Sequence, residues 1–278
     1  MSGALETGLR LAERGRAALD GAGTLEKALR RFRWFYAGAE FCENLLPDAA
    51  WHEREVSFFL EKGASVCVLT PPLGEKGLKR LRPVFKRLAS VFGRDPRAAG
   101  RVEVTVNDFG ALELAAETGL KLPLSAGRLL YENMFFADRT KMAVINGEAV
   151  RLFRSLGVSR FEFSTTGRLL SNNFSEAAKY GFKPSDIALT LHYPYLNLTT
   201  ARACAVGLPD IGPEDSVRGV ACRRECQACS FEAGHPLVNE KLLVRGNTVF
   251  LKFPEKFYSD PATLLKRRIN RLVYSPFL

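Results

Sequence analysis

The fold follows from five consecutive segments: SVCVLTPP (65–72), GLKRLRPVFKRLASVFG (77–93), VEVTVND (102–108), GALELAAETG (110–119) and KLPLSAG (121–127). The first, third and fifth are short apolar runs, as buried strands are. The second and fourth repeat apolar residues every three to four positions, which is the spacing of an amphipathic helix. Strands and helices therefore alternate, and this order predicts parallel β/α units.

The same alternation continues on both sides of these segments. A strand-like segment precedes them and further strands and helices follow: WFYAGAEF (34–41), EAVRLFRSLGVS (148–159), FEFSTTG (161–167), NFSEAAKYG (173–181) and DIALTLHYP (186–194). That many units in 278 residues fit a (β/α) barrel better than a small open sheet. The sequence thus predicts an α/β protein with a (β/α) barrel-like fold, forming a single domain over residues 1–278.

The N-terminal region and the helix ends complete this prediction. LRLAERGRAALD (9–20) and TLEKALRRF (24–32) are expected to be helices, the second beginning after a Thr24 cap. WFYAGAEF would then be the first barrel strand. Four glycines that follow helical segments are expected to end helices in a left-handed conformation: Gly63, Gly119, Gly157 and Gly181.

The chain changes character from about Cys204. LPDIGPEDSVRG (208–219) is a loop rich in Pro, Gly and Asp, and a cysteine-rich segment follows it. KLLVRGNTVFLKF (241–253) predicts a β-hairpin that turns at residues 245–247. We expect residues 204–253 to form a cysteine-rich cap on the barrel, made of a C-terminal loop and this hairpin.

Composition narrows the class of protein. Of the 278 residues 46% are hydrophobic and 25% are charged, which excludes a fully disordered chain. No run approaches the roughly 20 consecutive apolar residues of a membrane-spanning helix, and MSGALETGLRLAERGRAALDG (1–21) lacks the apolar segment of a secretory signal. We therefore expect a cytoplasmic protein without a transmembrane segment. In that reducing compartment, clustered cysteines are more often metal ligands than disulfides.

Six cysteines against three histidines are the most informative count, because four of the six fall between Cys204 and Cys229. Their spacing is C-x17-C-x3-C-x2-C. Zinc and iron-sulfur clusters both use closely spaced thiolates. A four-thiolate zinc site usually shows two C-x-x-C pairs, so the isolated Cys204 favours a cluster, whose ligands often come from distant segments. Unrelated buried thiols are the remaining alternative.

Cys42 and Cys67 lie far from this segment. Cys42 follows the strand in YAGAEFC (36–42), and strand ends on one face of a barrel converge in space, so it is a further candidate ligand. Cys67 lies inside the apolar run SVCVLT (65–70) and is expected to be a core residue. Five thiolates are thus candidates for a site that needs four: Cys42, Cys204, Cys222, Cys226 and Cys229.

Four segments resemble the bacterial collagenase-like peptidase family, most closely its UbiV branch. They are YAGAEFC (36–42), VEVTVNDFGALELA (102–115), LPLSAG (122–127) and LTLHYPYLNLTTARAC (189–204), followed by the C-x3-C-x2-C loop. The resemblance spans about Trp34 to Phe253 and lies in the order and spacing of short motifs. RLLYENMFF (128–136) replaces the Asn-x-Tyr-Asn segment of the family, and His192-Tyr193 replaces its histidine-glycine pair, so the substrate pocket is expected to differ.

The resemblance implies a β/α barrel that holds a 4Fe-4S cluster. Its ligands would be Cys42, which ends a Gly-x-x-x-Cys pattern, Cys204, which ends YLNLTTARAC, and two of the three later cysteines. Proteins similar to this branch act with a homologous UbiU-like partner in oxygen-independent hydroxylation during ubiquinone biosynthesis, whereas related members hydroxylate bases of transfer or ribosomal RNA. The resemblance therefore implies an iron-sulfur protein acting on a ubiquinone precursor. RNA base hydroxylation and a non-catalytic metal-binding subunit are the alternatives.

Asp108 and His192 are candidate catalytic residues. Asp108 follows the strand VEVTV at the end where a barrel carries its chemistry, although an Asp here also suits the cap of the next helix. His192 would be a base or ligand near the barrel mouth, or a buried hydrogen-bonded residue. His52 is expected on a solvated helix face, and His235 in a surface loop with metal ligation as the alternative. No H-E-x-x-H motif or Ser/His/Asp grouping is apparent in the sequence, so peptidase activity is not expected.

The formal charge is +10, from 40 Lys and Arg against 30 Asp and Glu. Three stretches carry most of the basic residues: KALRRFR (27–33), GLKRLRPVFKR (77–87) and LLKRRINR (264–271). Apolar residues are interleaved with these basic residues, which favours placing the basic side chains on the outer faces of helices that pack on the barrel. RNA, an acidic partner or an anionic membrane surface are alternative targets of this charge. LLKRRINRLVYSPFL (264–278) as a whole predicts a short basic helix and an apolar end.

Overall fold

The computed structural model describes residues 4–20, 23–131, 136–137, 141–143, 147–166, 171–172, 178, 183, 187–207, 222–258 and 260–276. The strands within them are β1 (Glu6–Ala12), β2 (Trp34–Gly38), β3 (Ser65–Leu69), β4 (Val102–Val106), β5 (Leu124–Ala126), β6 (Phe136–Ala137), β7 (Lys141–Ala143), β8 (Val158–Ser164), β9 (Ser171–Asn172), β10 (Ala188–Tyr193), β11 (Tyr195–Thr200), β12 (Phe231–His235), β13 (Val238–Arg245), β14 (Thr248–Lys252) and β15 (Ile269–Tyr274). The helices are α1 (Ala17–Asp20), α2 (Leu25–Arg31), α3 (Ala49–Glu61), α4 (Glu75–Phe92), α5 (Phe109–Glu117), α6 (Arg128–Tyr131), α7 (Gly147–Ser155) and α8 (Pro261–Lys266).

Eight parallel strands close into a barrel in the order β1-β15-β10-β8-β5-β4-β3-β2. Closure is complete because β1 pairs with β2 on one side and with β15 on the other. Helices α2, α3, α4, α5 and α7 lie between successive barrel strands along the chain, as in a (β/α) barrel. The predicted α/β barrel fold is confirmed.

The five segments that predicted this fold form β3, α4, β4, α5 and β5. Three of the predicted helix-ending glycines have left-handed backbones, with φ of 78° at Gly63, 67° at Gly119 and 83° at Gly157. Gly181 lies outside the described residues, as do the predicted helix NFSEAAKYG, apart from its Ala178, and the loop LPDIGPEDSVRG.

The prediction of a helix over residues 9–20 is wrong for its first part, because Glu6–Ala12 is a barrel strand. Leu9 and Leu11 are buried in the layer between strands and helices. Gly8 faces the barrel interior instead, where a Cβ on it would lie 3.0 Å from Val273 and 3.2 Å from Tyr36. This alternation has the period of a strand, and it makes Trp34–Gly38 the second barrel strand instead of the first.

The C-terminal end also differs from its prediction. Residues 264–278 were expected to give a basic helix and an apolar end, but the apolar part is β15, which closes the barrel between β1 and β10. Arg271 lies on this strand and is fully buried, so it is not on an outer helix face. Its guanidinium pairs with Glu103 at 2.7 Å and with Glu6 at 2.9 Å and lies 3.6 Å from the ring centre of Trp34.

Apolar residues pack on both surfaces of the barrel wall. Outside, strand residues meet the helices, as where Phe35 stacks on Phe59 of α3 with ring centres 4.3 Å apart. Inside, a smaller apolar cluster consists of Trp34, Tyr36, Cys67, Leu69 and Val273. Cys67 is completely buried there and its Sγ lies 2.9 Å from Thr105 Oγ1, which confirms the prediction that it is a core residue.

A four-stranded antiparallel sheet follows β10, in the order β11-β14-β13-β12. β13 and β14 pair from Leu242 with Leu251 to Arg245 with Thr248, which confirms the predicted hairpin and its turn. The sheet contacts the loop after β2 where Phe41 meets Phe250 edge to face at 5.2 Å. Of the helices in the described ranges, none combines the length and the apolar character needed to span a membrane.

Candidate metal centre at the barrel mouth

The loop after β2 brings Cys42 to the carboxyl end of the barrel strands, the end at which barrels of this type carry their sites. β2 ends at Gly38, whose φ is 121°. A Cβ at this position would lie 2.4 Å from the carbonyl oxygen of Leu69. Glycine thus lets the chain turn off the strand against β3 and continue to Cys42.

Two open cavities meet at this end of the barrel, with volumes of about 50 Å³ and about 700 Å³. Both are lined by Phe41, Cys42, Arg128 and Asn247. Cys226 lines the smaller cavity, and Asp108 lines the larger one. Cys42 therefore lies at the boundary of the two.

Asn247, in the turn between β13 and β14, joins the segments of two candidate cysteines. Its Nδ2 donates to the carbonyl oxygen of Phe41 at 2.9 Å, and Phe41 is the residue before Cys42. The same amide donates to the carbonyl oxygen of Ala201 at 2.7 Å, three residues before Cys204. One side chain thus holds two segments that are distant in sequence.

The rest of this turn contacts the third cysteine segment. Arg245 Nε donates to the carbonyl oxygen of Cys226 at 3.2 Å. Gly246 accepts a hydrogen bond from the N–H of Val206 at 3.4 Å, and a Cβ on this glycine would lie 3.4 Å from Cys226 Sγ. The turn 245–247 therefore touches the segments of Cys42, Cys204 and Cys226.

The pKa values of two of the candidate thiols are raised, in part by other cysteines. Burial raises the pKa of the Cys42 thiol, N–H groups of Asn44 and Leu45 lower it, and the negative charges of Cys222 and Cys204 raise it. Burial also raises the pKa of Cys226 to about 11, with further contributions from Cys204 and Cys42. Cys204 therefore acts on both Cys42 and Cys226, and Cys222 acts on Cys42.

Backbone N–H groups donate to two of these sulfurs. Cys204 Sγ accepts from the N–H of Gly207 at 3.2 Å, and Cys222 Sγ from the N–H of Arg224 at 3.4 Å. Such bonds stabilise negative charge on sulfur, and they tune the sulfurs of metal and cluster ligands.

Cys229 has a different environment. Its side chain is exposed, and its Sγ donates to the carbonyl oxygen of Glu225 at 3.4 Å within the same short turn. His235 is also exposed, and its Nδ1 accepts from the N–H of Leu237 at 3.2 Å. Across the part of the chain that the structure describes, no three Cys, His, Asp or Glu side chains lie close enough together to hold a single metal ion.

A buried ion network lies next to Cys42. Glu40 is almost completely buried, and its carboxylate binds Arg128 through two bonds of 2.7 and 2.9 Å and Arg10 through one of 2.6 Å. Burial raises the pKa of this carboxyl, but the two guanidinium groups outweigh burial and hold the pKa well below its usual range. The network joins β1, the loop after β2 and α6, and so fixes the start of the Cys42 loop.

Asp108 is the N-cap of α5. One carboxylate oxygen accepts from the N–H of Ala111 at 2.7 Å and the other from the N–H of Leu73 at 2.7 Å. Burial raises the pKa of this carboxyl, and these N–H groups oppose the rise. The capping alternative is confirmed, and the same residue faces the larger cavity.

His192 is completely buried inside the barrel. Its Nε2 lies 3.0 Å from Glu162 Oε2 and its Nδ1 lies 3.1 Å from Ser275 Oγ. Burial and the charge of Arg128 lower the pKa of the imidazole, although Glu162 opposes them. The alternative of a buried, hydrogen-bonded histidine is confirmed.

His52 was expected on a solvated helix face, and this is wrong. It is 1% exposed, its Nδ1 donates to the carbonyl oxygen of Asp48 at 2.8 Å, and burial lowers its pKa to about 4. The ring faces inward because α3 packs against the barrel with this side, on which Val56 and Phe59 are buried as well.

Several polar residues at the barrel mouth were not identified in the sequence: Arg10, Glu40, Arg128, Glu162 and Ser275. A signal for one of them exists in β8, where Arg160, Glu162 and Ser164 alternate with apolar residues. Barrel strands are usually apolar on both faces, so polar residues at every second position indicate an interior polar layer. Glu40 and Arg128 follow their strands and carry no comparable pattern.

No family model and no curated protein matches the chain. Solved structures with a similar trace include CutC from Streptococcus agalactiae, at 13% identity and a TM-score of 0.43, covering 68% of this chain and 87% of that one. A glycoside hydrolase family 18 chitinase from Cycas revoluta is similar at 12% identity and a TM-score of 0.42, covering 98% of this chain and 94% of that one. At these values the likenesses carry no argument about function.

Proposed function

We propose that this chain holds a 4Fe-4S cluster on Cys42, Cys204, Cys222 and Cys226. The observation that carries the proposal is the turn 245–247, whose hydrogen bonds join the segments of Cys42, Cys204 and Cys226. Cys222 is added because its charge acts on the Cys42 thiol and its sulfur accepts a backbone N–H. Cys229 is left out because its Sγ donates a hydrogen bond to the backbone carbonyl oxygen of Glu225.

The donor set suits a cluster better than a single zinc ion. Tetrahedral zinc with bonds of about 2.3 Å brings its four sulfurs to about 3.8 Å from one another. A cluster of four irons is larger and separates its cysteine sulfurs further, and the isolated position of Cys204 in the sequence also favours a cluster over zinc. When bound, such a cluster supplies one-electron transfer at a potential set by burial and by N–H bonds to sulfur.

The surrounding residues would hold and shield this site. Glu40 with its two arginines fixes the loop that carries Cys42, and the turn 245–247 covers the mouth from the other side. The larger cavity next to Cys42 is lined by amide, hydroxyl and charged groups and is suited to the polar ring of a substrate. A substrate there would lie beside the cysteine loop.

We further propose that the reaction is an oxygen-independent hydroxylation, of a ubiquinone precursor in the cytoplasm, together with a homologous UbiU-like partner. The support for this step is the resemblance in motif order. Quinone profiling of an anaerobically grown deletion strain tests it, with accumulation of an under-hydroxylated precursor expected. A normal quinone profile, or small RNA that copurifies with the protein and is released by salt, would instead favour the RNA alternative.

Serine variants of all six cysteines test the ligand set. We expect Cys42→Ser, Cys204→Ser, Cys222→Ser and Cys226→Ser each to lower iron content after anaerobic purification roughly ten-fold or more, because each removes a ligand. Cys229→Ser is the matched control from the same short loop, and Cys67→Ser controls for loss of a buried thiol. Both are expected to keep wild-type iron. Iron loss in Cys229→Ser with iron retained in Cys222→Ser would show that the assignment is wrong.

A further inference from the structure

Ser275, His192 and Glu162 form a continuous hydrogen-bonded chain inside the barrel. They lie 83 and 30 residues apart in sequence, and β15, β10 and β8 bring them together as neighbouring strands. The Ser275 Oγ to His192 Nδ1 distance is 3.1 Å and the His192 Nε2 to Glu162 Oε2 distance is 3.0 Å. Both fall within the range expected between a nucleophile, its base and the group that orients the base.

The direction of these hydrogen bonds follows from Glu162. Its Oε1 accepts a hydrogen bond from the Thr105 hydroxyl at 3.0 Å. Thr105 Oγ1 in turn lies 2.9 Å from Cys67 Sγ. Because Thr105 gives its proton to Glu162, the thiol is the donor in the second contact. With Glu162 accepting at both oxygens, His192 carries its proton on Nε2, and its Nδ1 lone pair faces Ser275.

The histidine is kept neutral and is therefore available as a base. Burial and the charge of Arg128 lower its pKa, as described above. Glu162 offsets part of that effect and would stabilise the imidazolium that forms when the ring takes a proton. The roles of the two ring nitrogens are exchanged relative to the serine protease triad, where Nε2 faces the serine.

Ser275 is the member of this hydrogen-bonded group that lines the smaller cavity, although the residue is only 3% exposed. His192 and Glu162 lie beneath it and are completely buried. Three arginines and two glutamates line the same cavity: Arg10, Arg128, Arg245, Glu13 and Glu40. The excess of positive charge favours an oxygen that becomes negative during a reaction.

We propose that Ser275 is an activated nucleophile that accepts an acyl group from an ester or thioester bound in the smaller cavity. Ser275 Oγ forms a bond to the carbonyl carbon while its proton passes to His192 Nδ1. The bond from that carbon to the leaving oxygen or sulfur breaks, and His192 returns the proton to the leaving group. Water then attacks the acyl-serine with the same base, which releases the carboxylic acid and restores Ser275.

Covalent labelling tests this proposal directly. The full chain is treated with a fluorophosphonate probe, which phosphonylates activated serines with loss of fluoride, and the labelled peptide is found by mass spectrometry. We expect one adduct, on Ser275, and release of p-nitrophenol from p-nitrophenyl acetate. Ser275→Ala should abolish the adduct and lower the esterase rate at least roughly 100-fold.

Two further variants separate activation from folding. Ser125→Ala is the matched control, since Ser125 is also buried on a barrel strand but its Oγ has no hydrogen-bond partner within the described residues. It should label as the wild type does. Glu162→Gln keeps the size of the side chain and leaves Ser275 in place, and it should slow labelling roughly ten-fold or more.

The smaller cavity is also lined by Cys42 and Cys226, two of the proposed cluster ligands, so a bound cluster and an ester would share this space. The assay reads a bond to Ser275, so Cys42→Ser protein without iron should also be labelled. Absence of a Ser275 adduct in folded wild-type protein, or equal labelling in Glu162→Gln and wild type, would overturn the proposal. In that case the three residues form a structural hydrogen-bond chain.

Discussion

Glu40 is the counterion of two arginines at the barrel mouth, Arg10 and Arg128. Arg128 is as deeply buried as Glu40 itself. A buried ion pair adds little net stability, because desolvation offsets the attraction, but removing one partner leaves an uncompensated charge. The arrangement therefore makes the barrel mouth sensitive to a single side chain.

Glu40→Gln is expected to lower the free energy of unfolding by about 3–5 kcal/mol, because Arg128 then keeps a buried charge without its counterion. Denaturant unfolding followed by circular dichroism measures the change. Glu53→Gln removes the partner of Arg87 on the surface, where Arg87 is 51% exposed, and should leave the free energy of unfolding nearly unchanged. Equal effects of the two variants would contradict the account of the network.

The lowered pKa of the buried His52 predicts that the free energy of unfolding falls in acid. Its pKa is lowered from the ordinary value of 6.5 to about 4, so the unfolded chain takes up a proton in this interval and the folded chain does not. Stability is therefore complete above about pH 6.5 and falls as the pH drops towards 4. The loss attributable to this group between pH 7 and pH 5 is about 2 kcal/mol.

His52→Gln should remove that part of the pH dependence, since glutamine can donate to the Asp48 carbonyl but does not titrate. The measurement is the difference in unfolding free energy between pH 7 and pH 5 for both proteins. His235→Gln, which changes an exposed histidine, is the control and should keep the wild-type difference. If His52→Gln keeps it as well, the ring is not held neutral in the folded protein.

Single residues differ in how far the sequence predicts their place. Cys42 and Cys67 could be assigned from position alone, one after a strand and one within it. The pairing of Glu40 with Arg128 could not, because the two are 88 residues apart and neither lies in a periodic pattern. Ser275, His192 and Glu162 share this property, since only the register of three neighbouring strands brings them together.

The turn between β13 and β14 is the element that ties the cysteine segments together. The Nδ2 of Asn247 donates two hydrogen bonds, one to the Phe41 carbonyl oxygen and one to the Ala201 carbonyl oxygen. Its Oδ1 accepts separately from the Thr248 hydroxyl at 3.3 Å. The donor can therefore be removed while the acceptor stays.

Asn247→Asp is expected to release the loops of Cys42 and Cys204 from the turn, because a carboxylate cannot donate to the two carbonyl oxygens and repels them. We expect the free energy of unfolding to fall by about 1–3 kcal/mol and iron to be lost faster to a chelator. Asn239→Asp makes the same chemical change at an exposed position of β13 and should alter neither. Unchanged iron retention in Asn247→Asp would show that the turn does not help to hold the proposed cluster.

Two elements at the chain ends show why local patterns mislead. β1 was predicted as part of a helix because the apolar residues of 9–20 recur at three-to-four spacing, although Gly8 and Arg10 alternate with Leu9 and Leu11 in the barrel. β15 was predicted as an apolar end because its partners, β1 and β10, are distant in sequence. The middle of the chain was predicted correctly because each of its strands pairs with the next along the chain.

Barrel closure is what makes the proposed site possible. β15 joins the two ends of the sheet, and the carboxyl ends of the strands then form one rim around the cavities. The loop after β2 and the sheet inserted between β10 and β15 meet across this rim. The fold class follows from the sequence, whereas the contacts of the turn 245–247 with the segments of Cys42, Cys204 and Cys226 appear only once the barrel is closed.

Iron and acid-labile sulfide content of the full chain, purified without oxygen, tests the proposed centre most directly. The account predicts about four irons and about four sulfides per chain, with a broad absorbance near 400 nm that bleaches on reduction. It also predicts that Cys42→Ser removes this iron and that Cys229→Ser keeps it. A colourless protein with one zinc per chain and no sulfide would contradict the account.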